Sequence, residues 1–133
     1  MINDSLLVVV DMLYDFIDGS LACLGADKAV ANTLQFIKST RNDDLPVFFI
    51  RDHHPADHSS FREQGGIWPP HCVAGTRGGE IADELKPCAD EDLTFDRGCD
   101  KAVEQYSVFD GRNSAGQSLG EVAAMLEPKD VYV

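Results

Sequence analysis

Leu6-Leu7-Val8-Val9-Val10-Asp11, LLVVVD, is an unbroken apolar run rich in β-branched residues and closed by a carboxylate. A strand with one face in water alternates apolar and polar residues, so a continuous run fits a parallel strand covered on both faces. Working outward, the next such run is Val47 to Ile50, VFFI, which delivers Arg51 and Asp52 at its end. A third extended stretch, DLTFDRG, reads as a strand over about 92–97, with Arg97 at its carboxyl end and Gly98 turning the chain. Helical periodicity fills the intervals. Val30, Leu34 and Ile37 recur on one face of a helix over about 26–40, which the segment RNDDLP at 41–46 ends. Ile81 and Leu85 give a shorter helical pattern stopped by Pro87. Over 118–126, Ser118 and Glu121 have capping-box spacing, and Leu119, Val122, Ala123 and Leu126 follow at helical intervals. Pro128 closes that helix, and Asp130-Val131-Tyr132-Val133 opens a fourth strand. Strands alternating with helices imply right-handed crossovers and a three-layer α/β/α, Rossmann-like fold around a doubly wound parallel sheet.

Ligands of such sheets bind beyond the carboxyl ends of the strands. The sequence puts Asp11, Asp52 and Arg97 at three of those ends. Each also has a plain structural reading: a turn cap for Asp11, an Asx-turn for Asp52, a surface ion pair for Arg97. The loop after the second strand, RDHHPADHSSFREQGGIWPPHC from Arg51 to Cys72, adds the chemistry. All four histidines lie in it. Asp52 and His54 are two apart, so in an extended segment both side chains leave on the same side. Glycines and prolines let the loop bring His71 back toward them. One oxygen and two nitrogen ligands suit zinc, manganese or ferrous iron with coordination positions left open; His58 is expected nearby in a supporting role. Without a metal the same loop reads as an exposed histidine-rich turn.

Composition narrows the functional classes. With 133 residues the chain fits a single domain, 1–133, with one core. A net charge of −12 argues against nucleic acid and anionic membranes as partners, and favours a small neutral or cationic molecule. The amino-terminal apolar run lacks a basic flank, is short and is interrupted by Asp11, so it reads as neither signal peptide nor membrane span, and a cytoplasmic location is expected. Cys23, Cys72, Cys88 and Cys99 show no paired-ligand spacing and read as ordinary core or loop thiols in a reducing compartment.

Four blocks, VVVDMLYDF, DHHPADHSSF, WPPHCVAGTRG and RGCDKAVEQYSVFDG, together resemble the nicotinamidase/pyrazinamidase branch of the isochorismatase-like cysteine hydrolases, over nearly the whole chain. The resemblance implies the same doubly wound sheet and amide hydrolysis of nicotinamide or pyrazinamide to the acid and ammonia through a cysteine thioester. It implies Asp11 as the acid/base, Asp52, His54 and His71 as ligands of a divalent metal, most readily zinc, and Phe16, Trp68 and Tyr106 as walls of a pocket for the aromatic ring. Two departures stand out. The family's catalytic lysine position falls on Arg97, which keeps the charge but does not shuttle a proton, with Lys101 as the only nearby lysine. The family's nucleophilic cysteine directly follows a strand like VYV, whereas this sequence stops at Val133. The domain therefore reads as incomplete at its carboxyl end, and the 133 residues alone are expected to be inactive, with an open strand edge that leaves a homo-oligomer as an option. Two rival readings are another carboxamide or carbamoyl hydrolase of the same fold and a noncatalytic relative that binds a pyridine-like ligand.

Overall fold

The computed structural model describes residues 4–40 and 45–133. Four parallel strands, β1 (Ser5–Val10), β2 (Val47–Asp52), β3 (Thr94–Arg97) and β4 (Asp130–Tyr132), form one sheet in the order β3-β2-β1-β4. The sequence moves from β1 outward through β2 to β3 and then returns to the far side of β1, so the strand order reverses between β1 and β4. That reversal is the doubly wound topology, and the two crossovers place their helices on opposite faces. The α2 helix (Ala26–Thr40) follows the one-turn helix α1 (Tyr14–Ile17), and α3 (Leu119–Leu126) precedes β4.

The pleat explains why LLVVV carries no polar residue. Leu7 and Val9 pack with Val47 and Phe49 under Val30 of α2, while Leu6 and Val8 pack with Phe48, Ile50 and Phe95 under Leu119 and Val122 of α3. Alternate residues of the same strand thus feed two separate cores. Pairing holds them in step, with Leu7 opposite Val47 and Ile50 opposite Phe95. The Phe48 and Phe95 rings meet at a centroid distance of 5.4 Å, a tilted contact worth roughly 1 kcal/mol beyond the area it buries.

The expected helix over 26–40 forms with those bounds. The break assigned to RNDDLP falls largely on 41–44, outside the described residues. The capping box is present in α3: the Ser118 side chain accepts from Glu121 N, and the Glu121 carboxylate accepts from Ser118 N. The third strand is shorter than expected, because Asp90 accepts from Asp92 N and curls 91–93 into a 3-10 turn before β3 starts. The helical pattern at Ile81 and Leu85 is not a helix. Ala82 N donates to Met12 O and Tyr14 N donates to Glu80 O, so this backbone pairs with the turn after β1 instead of with itself. Ile81 and Leu85 are buried all the same, which is why their spacing misled. No helix among the described residues is long and apolar enough to cross a membrane.

Candidate metal and active site

The sheet delivers Asp11, Asp52 and Arg97 to one place beyond its carboxyl edge. Asp11 stands one residue past β1 with a left-handed backbone (φ 59°), held there as its N–H donates to Ile50 O. Asp52 ends β2 and Arg97 ends β3, directly opposite each other in the register. Arg97 is 5% exposed and uses three separate nitrogens: Nε donates to Asp52 Oδ1 at 2.7 Å, Nη2 to Asp11 Oδ2 at 2.5 Å and Nη1 to Tyr106 O at 3.1 Å. A buried guanidinium between two carboxylates satisfies the requirement that interior charges be paired.

The other oxygen of Asp52 faces the histidines. His54 Nε2 lies 3.6 Å and His71 Nε2 3.8 Å from Asp52 Oδ2, and the three side chains, all buried, bring their ligand atoms within 4.8 Å of one another. The extended run after β2 continues through His54, which forms a parallel bridge with Val73, so Asp52 and His54 do leave on the same side. Each histidine is oriented from behind. His54 Nδ1 lies 2.9 Å from Gly98 O and His71 Nδ1 2.9 Å from Pro69 O. A carbonyl only accepts, so both Nδ1 atoms carry the proton and both Nε2 lone pairs point toward Asp52 Oδ2. That tautomer and that backing are what a metal-ligating histidine needs, and the donor set fits a divalent ion with open positions.

The charges set the proton affinities. Burial, reinforced by the Asp52 charge, pushes the Asp11 carboxyl up to about 6 against the pull of Arg97. Burial also raises Asp52, but the nearby His54 and Arg97 outweigh it and hold that carboxyl below its usual range. Asp11 Oδ1 is buried and has no partner among the described residues, so one oxygen of the carboxylate is unspent. Burial, then the charges of Asp52, Asp15 and Asp11, push the Cys72 thiol far up, and its side chain belongs to the core on the α2 side. Cys72 is a packing residue.

A cavity of about 360 Å³ opens above these groups. Asp11, Asp52, His54, His71 and Arg97 form its floor, and Phe16, Trp68 and Tyr106 stand around it, the three aromatic residues expected there. Lys101 is not among its lining residues; it is exposed, with its ammonium 3.7 Å from Asp57. Arg97 thus holds the place within the site.

The isochorismatase domain profile matches residues 5–131. The chain belongs to the isochorismatase family. Over 116 residues it is 31% identical to the nicotinamidase/pyrazinamidase of Mycobacterium tuberculosis, an alignment that takes in 85% of this chain and 61% of that relative. The crystal structure of a Pyrococcus horikoshii pyrazinamidase in complex with zinc superposes with a TM-score of 0.81 at 31% identity, covering 97% of this chain and 68% of that one. An N-carbamoylsarcosine amidase from Thermoplasma acidophilum superposes with a TM-score of 0.66 at 28% identity, over 96% of this chain and 64% of that one. The chain therefore spans about three fifths of the length of the curated relative it matches.

Several residues of this isochorismatase-family site gave no signal of their role in the sequence. Asp15 Oδ2 accepts from Cys72 N at 2.8 Å and pins the residue after His71, whose backbone is left-handed (φ 49°). Gln105 Oε1 accepts from Gly98 N, and Gly98 O in turn receives the His54 proton, so a side chain in the cavity wall steadies a ligand through one peptide unit. Gly98 itself has φ 66°, and a Cβ there would lie 2.3 Å from His54 Cε1. His58 is supporting, as expected: its ring lies 4.2 Å from that of His54, and its nitrogens are taken up by Ser60 Oγ and Val103 O. Cys23, read as an ordinary loop thiol, lines the cavity.

Proposed function

We propose that this protein is a nicotinamidase-type amidohydrolase: a carboxamide on a pyridine or pyrazine ring and water become the acid and ammonia. The observation that carries the reading is the adjacency, across one arginine, of a tautomer-fixed Asp52, His54 and His71 cluster and a carboxylate of raised proton affinity, both facing an aromatic-walled cavity. Asp52, His54 and His71 would hold a divalent metal, zinc by the chemistry of the donor set, and that ion would supply a Lewis-acid anchor for a ring nitrogen. Phe16, Trp68 and Tyr106 sandwich and orient the ring. Asp11 is the proton carrier. With an affinity near 6 it sits close to neutral pH, where a carboxyl can both take a proton from an attacking group and return one to the departing nitrogen. Arg97 stays charged throughout and balances the negative charge that gathers at the reacting carbon. Cys72, buried and with its thiol pushed up, is not the attacking group.

A carbamoyl hydrolase of the same fold is the second reading, and the Thermoplasma structure keeps it in view. It has no use for an aromatic-walled cavity over a metal cluster. Ammonia release under saturating zinc from nicotinamide, pyrazinamide and an N-carbamoyl amine separates the two. The proposal expects release from the first two and not from the third; the reverse order would hand the site to carbamoyl chemistry.

A further inference from the structure

Arg97 does more at this site than balance charge. Its Nε–H is spent on Asp52 Oδ1, while Asp52 Oδ2 is the oxygen that faces His54 Nε2 and His71 Nε2. Both side chains are nearly sealed from solvent, with relative exposures of 6% and 10%, so water does not compete for that contact. The guanidinium is fixed in turn by Asp11 Oδ2 and Tyr106 O, on two other nitrogens pointing in different directions. A planar fork reaches three such acceptors at once; a lysine ammonium is a single point on a flexible stem and cannot stand within hydrogen-bond range of all three.

We propose that Arg97 is the positioning residue of the metal centre: by occupying Asp52 Oδ1 it limits that carboxylate to a single ligand oxygen and keeps a coordination position open for the substrate. Carboxylates bind divalent ions through one oxygen or both, and a second oxygen would take the place of an exchangeable water. Arg97 also places a fixed positive charge against the ligand set, which weakens metal binding. The chain accepts looser metal retention in return for an open position. Because Nη2 reaches Asp11 from the same guanidinium, the residue that shapes the metal site also locates the proton carrier, and one side chain sets their separation.

The inference rests on metal binding at Asp52, His54 and His71, and its test separates the two. Zinc X-ray absorption and water relaxation with manganese(II) are measured on the full chain, as wild type, Arg97→Lys and Arg97→Met, with zinc affinity taken by calorimetry. The wild type is expected to show one-oxygen carboxylate ligation. In Arg97→Met the carboxylate becomes bidentate, at least one exchangeable water is lost, and zinc binds at least about tenfold more tightly, since a nearby cation has gone. Arg97→Lys keeps the charge but releases Oδ1, so it takes the bidentate geometry with a smaller gain in affinity. Should Arg97→Met fail to fold, the wild-type and Arg97→Lys spectra decide alone. Two-oxygen ligation in the wild type, or the same ligation in wild type and Arg97→Lys, overturns the inference. No metal uptake by the wild type overturns the metal site itself and with it the proposed function.

Discussion

Replacing Asp11 with asparagine removes a charge that the fold holds at a cost, and the cost can be worked out. Burial raises the Asp11 carboxyl from 3.8 to about 6. At about 1.4 kcal/mol for each pH unit of difference, ionised Asp11 makes the folded state about 3 kcal/mol less stable than it would be with the proton on. The sign follows from the direction. A carboxyl raised by folding is protonated in the native state while the unfolded chain has already ionised, so its contribution is intact below about 4, declines as pH rises from there to about 6, and is flat above. Asparagine has no such dependence. In the presence of a chelator, urea unfolding of wild type and Asp11→Asn at pH 4 and pH 7.5 should therefore show the variant gaining by about 2 kcal/mol relative to wild type between the two, since the other titrating groups cancel in the difference. A difference constant with pH would show that Asp11 is ionised at no cost, and the argument that it is poised as a proton carrier near neutral pH would fall with it.

Elemental analysis should find about one zinc per wild-type chain and far less in His54→Ala and His71→Ala, because each removes a nitrogen whose lone pair is aimed at Asp52 Oδ2; equal metal content in all three would dismiss the site. Gly98→Ala should lose most of its zinc affinity while the far-ultraviolet spectrum stays native, since the added Cβ meets the His54 ring at 2.3 Å and the backbone there is left-handed; unchanged affinity by calorimetry would mean the loop gives way freely. Ser118→Ala should cost about 1 kcal/mol in urea unfolding by opening the capping box of α3, with no effect on metal content. A loss of metal in that variant would tie α3 to the site in a way the geometry does not suggest.

The site was legible wherever chemistry coincides with position along a strand. Asp11, Asp52 and Arg97 are read from the ends of three apolar runs, and parallel pairing in register then obliges them to meet. Asp52 and His54 follow from the two-residue period of extended chain. Contacts set by turns were not legible. Asp15 reaches Cys72 across 57 residues, and Gln105 reaches Gly98 because the loop after β3 folds back on its own start. Neither depends on a periodicity. The segment at Ile81 and Leu85 shows the opposite failure: burial imposed apolar spacing, but its hydrogen bonds went to Met12 and Tyr14, and spacing alone cannot reveal where a backbone N–H finds its partner.

The central claim is that an ion on Asp52, His54 and His71 meets the ring nitrogen of a pyridine carboxamide beneath Phe16, Trp68 and Tyr106. Cobalt(II) substitution tests this most directly, because its visible absorption bands change when a nitrogen replaces water among its ligands. Titrated into the cobalt-loaded protein, nicotinamide should shift those bands with saturation, and benzamide, which carries the same amide on a ring without the nitrogen, should leave them as they were. Identical spectra with both ligands, or a benzamide response equal to that of nicotinamide, would contradict the account.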